Sequence, residues 1–81
     1  MPSILIVDDE PNIRRMVGAL LAAEGYEVRD APDGDTAFAR SLEAEPDVVL
    51  LDLMMPNDSD GLDTLARFRE RFPELPVVMS R

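Results

Sequence analysis

Three aspartates carry the most chemistry in this sequence. Asp8 and Asp9 follow the apolar run Ser3-Ile4-Leu5-Ile6-Val7, and Asp52 follows Val48-Val49-Leu50-Leu51. Each run is short, rich in branched residues and free of charge, the pattern of a strand buried on both faces. If two such strands lie side by side and parallel, their C-terminal ends deliver three carboxylates to one place. Carboxylates so close repel one another and resist ionising together. A hard divalent cation such as Mg²⁺, which takes oxygen ligands, relieves that repulsion. A single strand-end aspartate would ordinarily cap the following helix; the three together predict a metal site.

The elements that must position these carboxylates are legible along the chain. Pro11 suits the first turn of a helix, and Ile13, Met16, Val17, Leu20 and Leu21 follow at helical spacing up to a stop near Gly25. Tyr26 to Ala31 alternates as an edge strand does, and Asp33-Gly34 marks a turn. Asp35 is a plausible N-cap for a second helix with Ala37, Phe38, Ser41 and Leu42 on its apolar stripe, ending before Pro46. Asp47 to Asp52 is the third strand. A third helix from about Asp60 to Phe72 carries Leu62, Leu65, Phe68 or Arg69, and Phe72, and Leu75 to Ser80 is a fourth strand. Strands alternating with helices imply an α/β fold with a parallel sheet covered on both faces. Right-handed crossovers with buried first and third strands favour the flavodoxin-like order 2-1-3-4, whose ligands bind beyond the C-terminal strand ends.

Composition narrows the functions. Eighty-one residues make one domain, residues 1–81, with 46% apolar and 31% charged side chains, ordinary for a folded chain. No cysteine and no histidine leave neither thiolate nor imidazole for a metal, so any ion must be held by oxygen. Seventeen acidic against eight basic residues give a net charge of −9, which opposes direct binding to nucleic acid. All eight basic residues are arginines. No apolar run is long enough to cross a bilayer and Met1-Pro2-Ser3 lacks the basic start of a signal peptide, so a cytoplasmic location is expected.

Ile4-Leu5-Ile6-Val7-Asp8-Asp9-Glu10-Pro11, Asp33-Gly34, and Val48-Val49-Leu50-Leu51-Asp52-Leu53-Met54-Met55-Pro56 with Gly61-Leu62 together resemble the receiver domain of two-component response regulators. The resemblance spans essentially the whole chain. It implies that Asp52 is the phosphoacceptor, taking a phosphoryl group from a phosphohistidine on a sensor histidine kinase. It further implies that Asp9 and Asp52 ligate Mg²⁺ by carboxylate, the Met54 backbone carbonyl supplies another ligand, and Asp8 helps directly or through water. The chemistry agrees, because a carboxylate attacks an anionic phosphoryl group only when developing charge is neutralised and the reactants are aligned. On this reading the chain is a signalling switch component, not a turnover enzyme. Its further partners would be an output domain or a downstream protein.

The sequence departs from the family in several places. Receiver domains carry five strands and five helices, and this chain is expected to end at the fourth strand, without the fifth strand and last two helices. The family's phosphoryl-contacting lysine lies at the end of the fifth strand, and no lysine occurs here; a planar guanidinium such as that of Arg81 is no direct substitute. The family's switch Ser or Thr follows the opening proline of the fourth strand by about five positions, whereas Ser80 follows Pro76 by four. Ser80 is thus the candidate switch hydroxyl, but by count Arg81 takes the position, and a slip of one residue would turn Ser80 away from Asp52 unless a bulge corrects it. Asn57-Asp58-Ser59-Asp60 is one residue longer than the common loop, and its aspartates are expected to cap the third helix. Arg67, Arg69 and Arg71 read as a solvated face; for kinase docking, Arg14, Arg15 and the residues around Met16 and Val17 are better placed. An uncovered fourth strand predicts a homodimer, through its edge or swapped elements, or a marginally folded chain.

Two other function classes compete with the phosphoacceptor. A receiver that cannot be phosphorylated but binds, scaffolds or self-associates would keep the acidic pocket without the switch. A hydrolase of the haloacid dehalogenase type wants Asp-x-Asp after the first strand, and Asp8-Asp9-Glu10 lacks it. The glycines at 18, 25, 34 and 61 form neither a dinucleotide fingerprint nor a P-loop.

Overall fold

The computed structural model describes residues 1–55 and 60–80, with the side chain of Asp60 excepted. Strands β1 (Ser3–Val7), β2 (Glu27–Ala31), β3 (Val48–Asp52) and β4 (Val77–Ser80) alternate with helices α1 (Pro11–Ala23), α2 (Gly34–Glu43) and α3 (Asp60–Arg71). The sheet order is β2-β1-β3-β4 and every pairing is parallel, as expected for the flavodoxin-like class. Each crossover is a helix, which is what a parallel connection requires.

β1 is central and buried along its length, with Ile4, Leu5, Ile6 and Val7 all at most 4% exposed. Leu5, Val7, Val49 and Leu51 project from one sheet face into a core completed by Ala37, Met55, Phe68, Phe72 and Leu75. Phe38 of α2 meets Phe68 of α3 edge-on at 5.5 Å, and Phe72 closes the aromatic cluster. α1 lies on the opposite face, where Gly18 comes up against Val28 and Ile6.

Local signals explain the helix ends. The Glu10 side chain accepts from the Asn12 N–H at the start of α1, with Pro11 in its first turn. α1 stops at Gly25, whose φ of +100° suits glycine; the Tyr26 N–H reaches back to the Leu21 carbonyl and the Gly25 N–H to that of Ala22. α2 differs from expectation: Asp33, not Asp35, is its N-cap, with Oδ1 accepting from the Thr36 N–H at 2.7 Å. What reads as a turn at Asp33-Gly34 is the cap and first residue of the helix, because buried Gly34 lies beneath Thr64.

Two apolar stripes also differ. Met16 and Leu20 of α1 are 54% and 63% exposed, and no residue of that helix is fully buried. On α3 Leu62 is 67% exposed and Thr64 faces inward, alongside Phe68 and, just past the helix, Phe72, both expected there. Pro56, Asn57, Asp58 and Ser59 after β3, and Arg81, lie outside the described residues, and with them the expected capping by Asp58 and the count that puts Arg81 at the switch position. Among the described residues no helix is long and apolar enough to cross a membrane.

Candidate functional site

The register between β1 and β3 pairs Val7 with Leu51, so Asp8, just past β1, and Asp52, the last residue of β3, come level at the C-terminal edge of the sheet. Carboxylate oxygens of Asp8, Asp9 and Asp52 all lie within 4.8 Å of one another. Asp8 and Asp52 are half-buried and Asp9 is exposed. The two strand-end aspartates share one local device. Asp8 Oδ1 accepts the Glu10 N–H at 2.9 Å and Asp52 Oδ1 accepts the Met54 N–H at 2.9 Å. Each is an Asx turn, which holds the carboxylate's rotation with a backbone donor two residues on.

Burial pushes the Asp8 carboxyl above its ordinary value, and the negative charges of Asp52 and Asp9 push it the same way. The Glu10 N–H and the Arg14 guanidinium oppose them. The arrangement is a half-sheltered set of hard oxygen donors under mutual repulsion, the donor chemistry that fits a divalent cation such as Mg²⁺.

Met54, expected to contribute its carbonyl, follows Asp52 in the turn after β3 with its side chain 64% exposed. Ser80 is the register partner of Asp52, and the Leu53 N–H donates to the Ser80 carbonyl at 2.9 Å. The β3–β4 register runs without interruption from Val49 and Val77, which puts Ser80 on the same sheet face as Asp52, in solvent. The short count from Pro76 therefore needs no bulge to bring residue 80 level with the acceptor strand's end.

One participant in this region escaped the sequence reading. Arg14, grouped there with surface candidates for docking, donates from Nη1 to the Asp8 carbonyl at 2.8 Å and from Nε to Asp30 Oδ2 at 3.0 Å. Arg15 stays at the surface and donates to Asn12 at 3.3 Å. The partners of Arg14 lie 6 and 16 residues away in sequence, and nothing short of the β1–β2 pairing brings them together.

Comparison with known proteins gives the family. The model of the response regulator receiver domain matches residues 4–80. The probable transcriptional regulatory protein TcrX of Mycobacterium tuberculosis is 44% identical over 95% of this chain, which spans 32% of that protein. Among solved structures, the receiver domain of NtrX from Brucella abortus is 44% identical with a TM-score of 0.88, covering 94% of this chain and 64% of that one. The response regulator protein TrrA from Thermotoga maritima, crystallised in complex with Mg²⁺-BeF, is 35% identical with a TM-score of 0.90, covering 98% of this chain and 68% of that one. TrrA has also been crystallised in complex with the histidine kinase ThkA. The chain thus spans about a third of the curated relative's length and about two thirds of the solved receivers. On the match of the family model and on these likenesses, the chain belongs to the response regulator receiver domains of two-component systems.

Proposed function

We propose that Asp52 accepts a phosphoryl group from a phosphohistidine of a sensor histidine kinase, in a site where Asp8, Asp9 and Asp52 hold Mg²⁺. The observation that carries the reading is the meeting of three carboxylates at the ends of β1 and β3. The likeness to a receiver solved with Mg²⁺-BeF, and to the same receiver solved with a kinase, supports it.

In the transfer, an Asp52 oxygen forms a bond to phosphorus as the phosphorus–nitrogen bond of the phosphohistidine breaks, and the electron pair leaves with the imidazole. The chain's residues position the reactants. The Met54 N–H on Oδ1 fixes the rotation of the Asp52 carboxylate; Asp8, Asp9 and Asp52, with the Met54 carbonyl, would hold the ion. Bound Mg²⁺ supplies positive charge against the phosphoryl oxygens, without which two anions would have to approach each other. Ser80, level with Asp52 on the neighbouring strand, is the hydroxyl proposed to meet the phosphoryl group. The product is a modified carboxylate, and the new charge biases a surface read by an output domain or a downstream protein. The chain acts inside the cell as a signalling module, and no observation favours the unphosphorylated scaffold.

Incubation with acetyl phosphate and Mg²⁺, followed by intact mass, tests the reading. One acid-labile phosphoryl mass, lost when Mg²⁺ is chelated and in Asp52→Asn, is the expected result. Folded protein that gains no mass contradicts it.

A further inference from the structure

We propose that Arg14 is the positioning residue of the acidic site, pinning the Asp8 peptide to the end of β2 so that Asp8 and Asp9 meet Asp52 in a metal-binding arrangement. The inference rests on reading the three carboxylates as a Mg²⁺ site. The Asp8 backbone is held twice: its N–H donates to the Ala31 carbonyl of β2 at 3.2 Å, and its carbonyl accepts from Nη1 of Arg14 on α1 at 2.8 Å. Arg14 is in turn fixed by the Asp30 carboxylate at 3.0 Å. Asp30 is steadied through its own carbonyl, which accepts from Arg40 of α2. The chain of contacts therefore runs α2, β2, α1 and β1, and ends on the backbone that presents Asp8 and Asp9.

The side chain of Arg14 is only 18% exposed, on a helix with no fully buried residue. Its two contacts need the rigid fork of a guanidinium; an ammonium is a point charge on a flexible stem and does not reproduce the paired geometry. Partners of this kind, which orient a ligand without touching the ion, typically change metal affinity by about 10- to 100-fold when removed.

Charge and positioning predict opposite signs here, which makes the inference testable. A guanidinium whose charge reaches the Asp8 carboxylate repels an arriving cation, so on charge alone its removal strengthens Mg²⁺ binding. If Arg14 positions the site, its removal weakens binding.

Mg²⁺ affinity of the full chain would be measured by isothermal titration calorimetry for the wild type, Arg14→Gln and Arg14→Lys, with the fold checked by circular dichroism in the absence of metal. We expect both variants to bind about tenfold more weakly. Asp30→Ala should have no further effect in the Arg14→Gln background. Tighter binding by Arg14→Gln with unchanged binding by Arg14→Lys overturns the inference and leaves the metal reading intact. A wild type that binds no Mg²⁺ overturns both. Should Arg14→Gln fail to fold, the charge-conserving Arg14→Lys decides alone, wild-type affinity overturning the inference and weakened affinity supporting it.

Discussion

Thr64 of α3 rests directly on Gly34, the first residue of α2: a Cβ at position 34 would lie 1.8 Å from the Thr64 hydroxyl oxygen and 3.1 Å from its Cβ. Both residues are buried, and the contact seats the helix capped by Asp33 against the helix that follows the acceptor strand. Gly34→Ala is expected to cost about 1–3 kcal/mol, the usual range for overpacking a filled site. In a domain this small, each kcal/mol lowers the melting temperature by about 4–8 °C. Thr64→Ala in the same chain should recover part of the loss, because it removes the nearest atom but leaves the tight Cβ approach. Thermal unfolding of the two single variants and the double checks this, and simple additivity would refute the contact.

Asp33 gives the fold a dependence on acid. The backbone and hydroxyl donors of Thr36, with Arg40 nearby, hold its carboxyl below the ordinary value of 3.8. Its contribution is therefore present above that unfolded value and disappears as pH falls through the lower folded value. Asp33→Ala should cost about 1 kcal/mol at neutral pH, as for other N-caps. Asp33→Asn keeps an acceptor for the cap and should stay near wild-type stability at neutral pH, with a shallower loss of stability below pH 4, read from urea midpoints across the acid range.

The acidic cluster should destabilise the fold when no cation is present. Asp9→Asn removes one of three repelling charges, each close pair costing on the order of 1 kcal/mol under water-like screening. Its metal-free melting temperature is expected to rise. The stabilisation by saturating Mg²⁺, about 2.7 kcal/mol at a hundredfold excess over Kd for the intact site, should largely disappear. Scanning calorimetry with and without Mg²⁺ measures both effects, and an unchanged response to Mg²⁺ in Asp9→Asn would remove Asp9 from the ligand set.

β4 is an edge strand of the described sheet, and its Val78 and Met79 are 52% and 44% exposed with no charged residue between Val77 and Ser80. Such an edge invites pairing. The chain is expected to dimerise in a concentration-dependent way, or to melt with little cooperativity. Val78→Lys should shift the dimer towards monomer in light scattering. A monodisperse wild-type monomer with a sharp calorimetric transition would contradict this expectation.

β1 and β3 were readable because buried parallel strands leave uninterrupted apolar runs, and β2 because it alternates as an edge strand does; β1 runs from Ser3 to Val7 as its composition predicts. The carboxylate cluster was readable for the same reason, since Asp8 and Asp52 end two such runs. What failed depended on tertiary contact. Asp33 and Asp35 flank Gly34 and are equally suited to cap a helix, and only the burial of Gly34 under Thr64 decides between them. Helical spacing marked the apolar stripe of α1, but it is Gly18 that faces Val28 and Ile6 of the sheet, and Met16 and Leu20, two residues either side of it and so on the far side of the helix, are exposed. The contacts of Arg14 could not be read from sequence, because they exist only once β2 lies beside β1.

The central claim is that Asp52 is the residue modified, and locating the phosphoryl group tests it most directly. Chain treated with acetyl phosphate and Mg²⁺ would be trapped with borohydride, which reduces an acyl phosphate to the alcohol, and the marked residue located by peptide mass spectrometry. The account predicts the mark at Asp52, with Asp8 and Asp9 unmodified. A mark at Asp8 or Asp9, or none on folded protein, would contradict it.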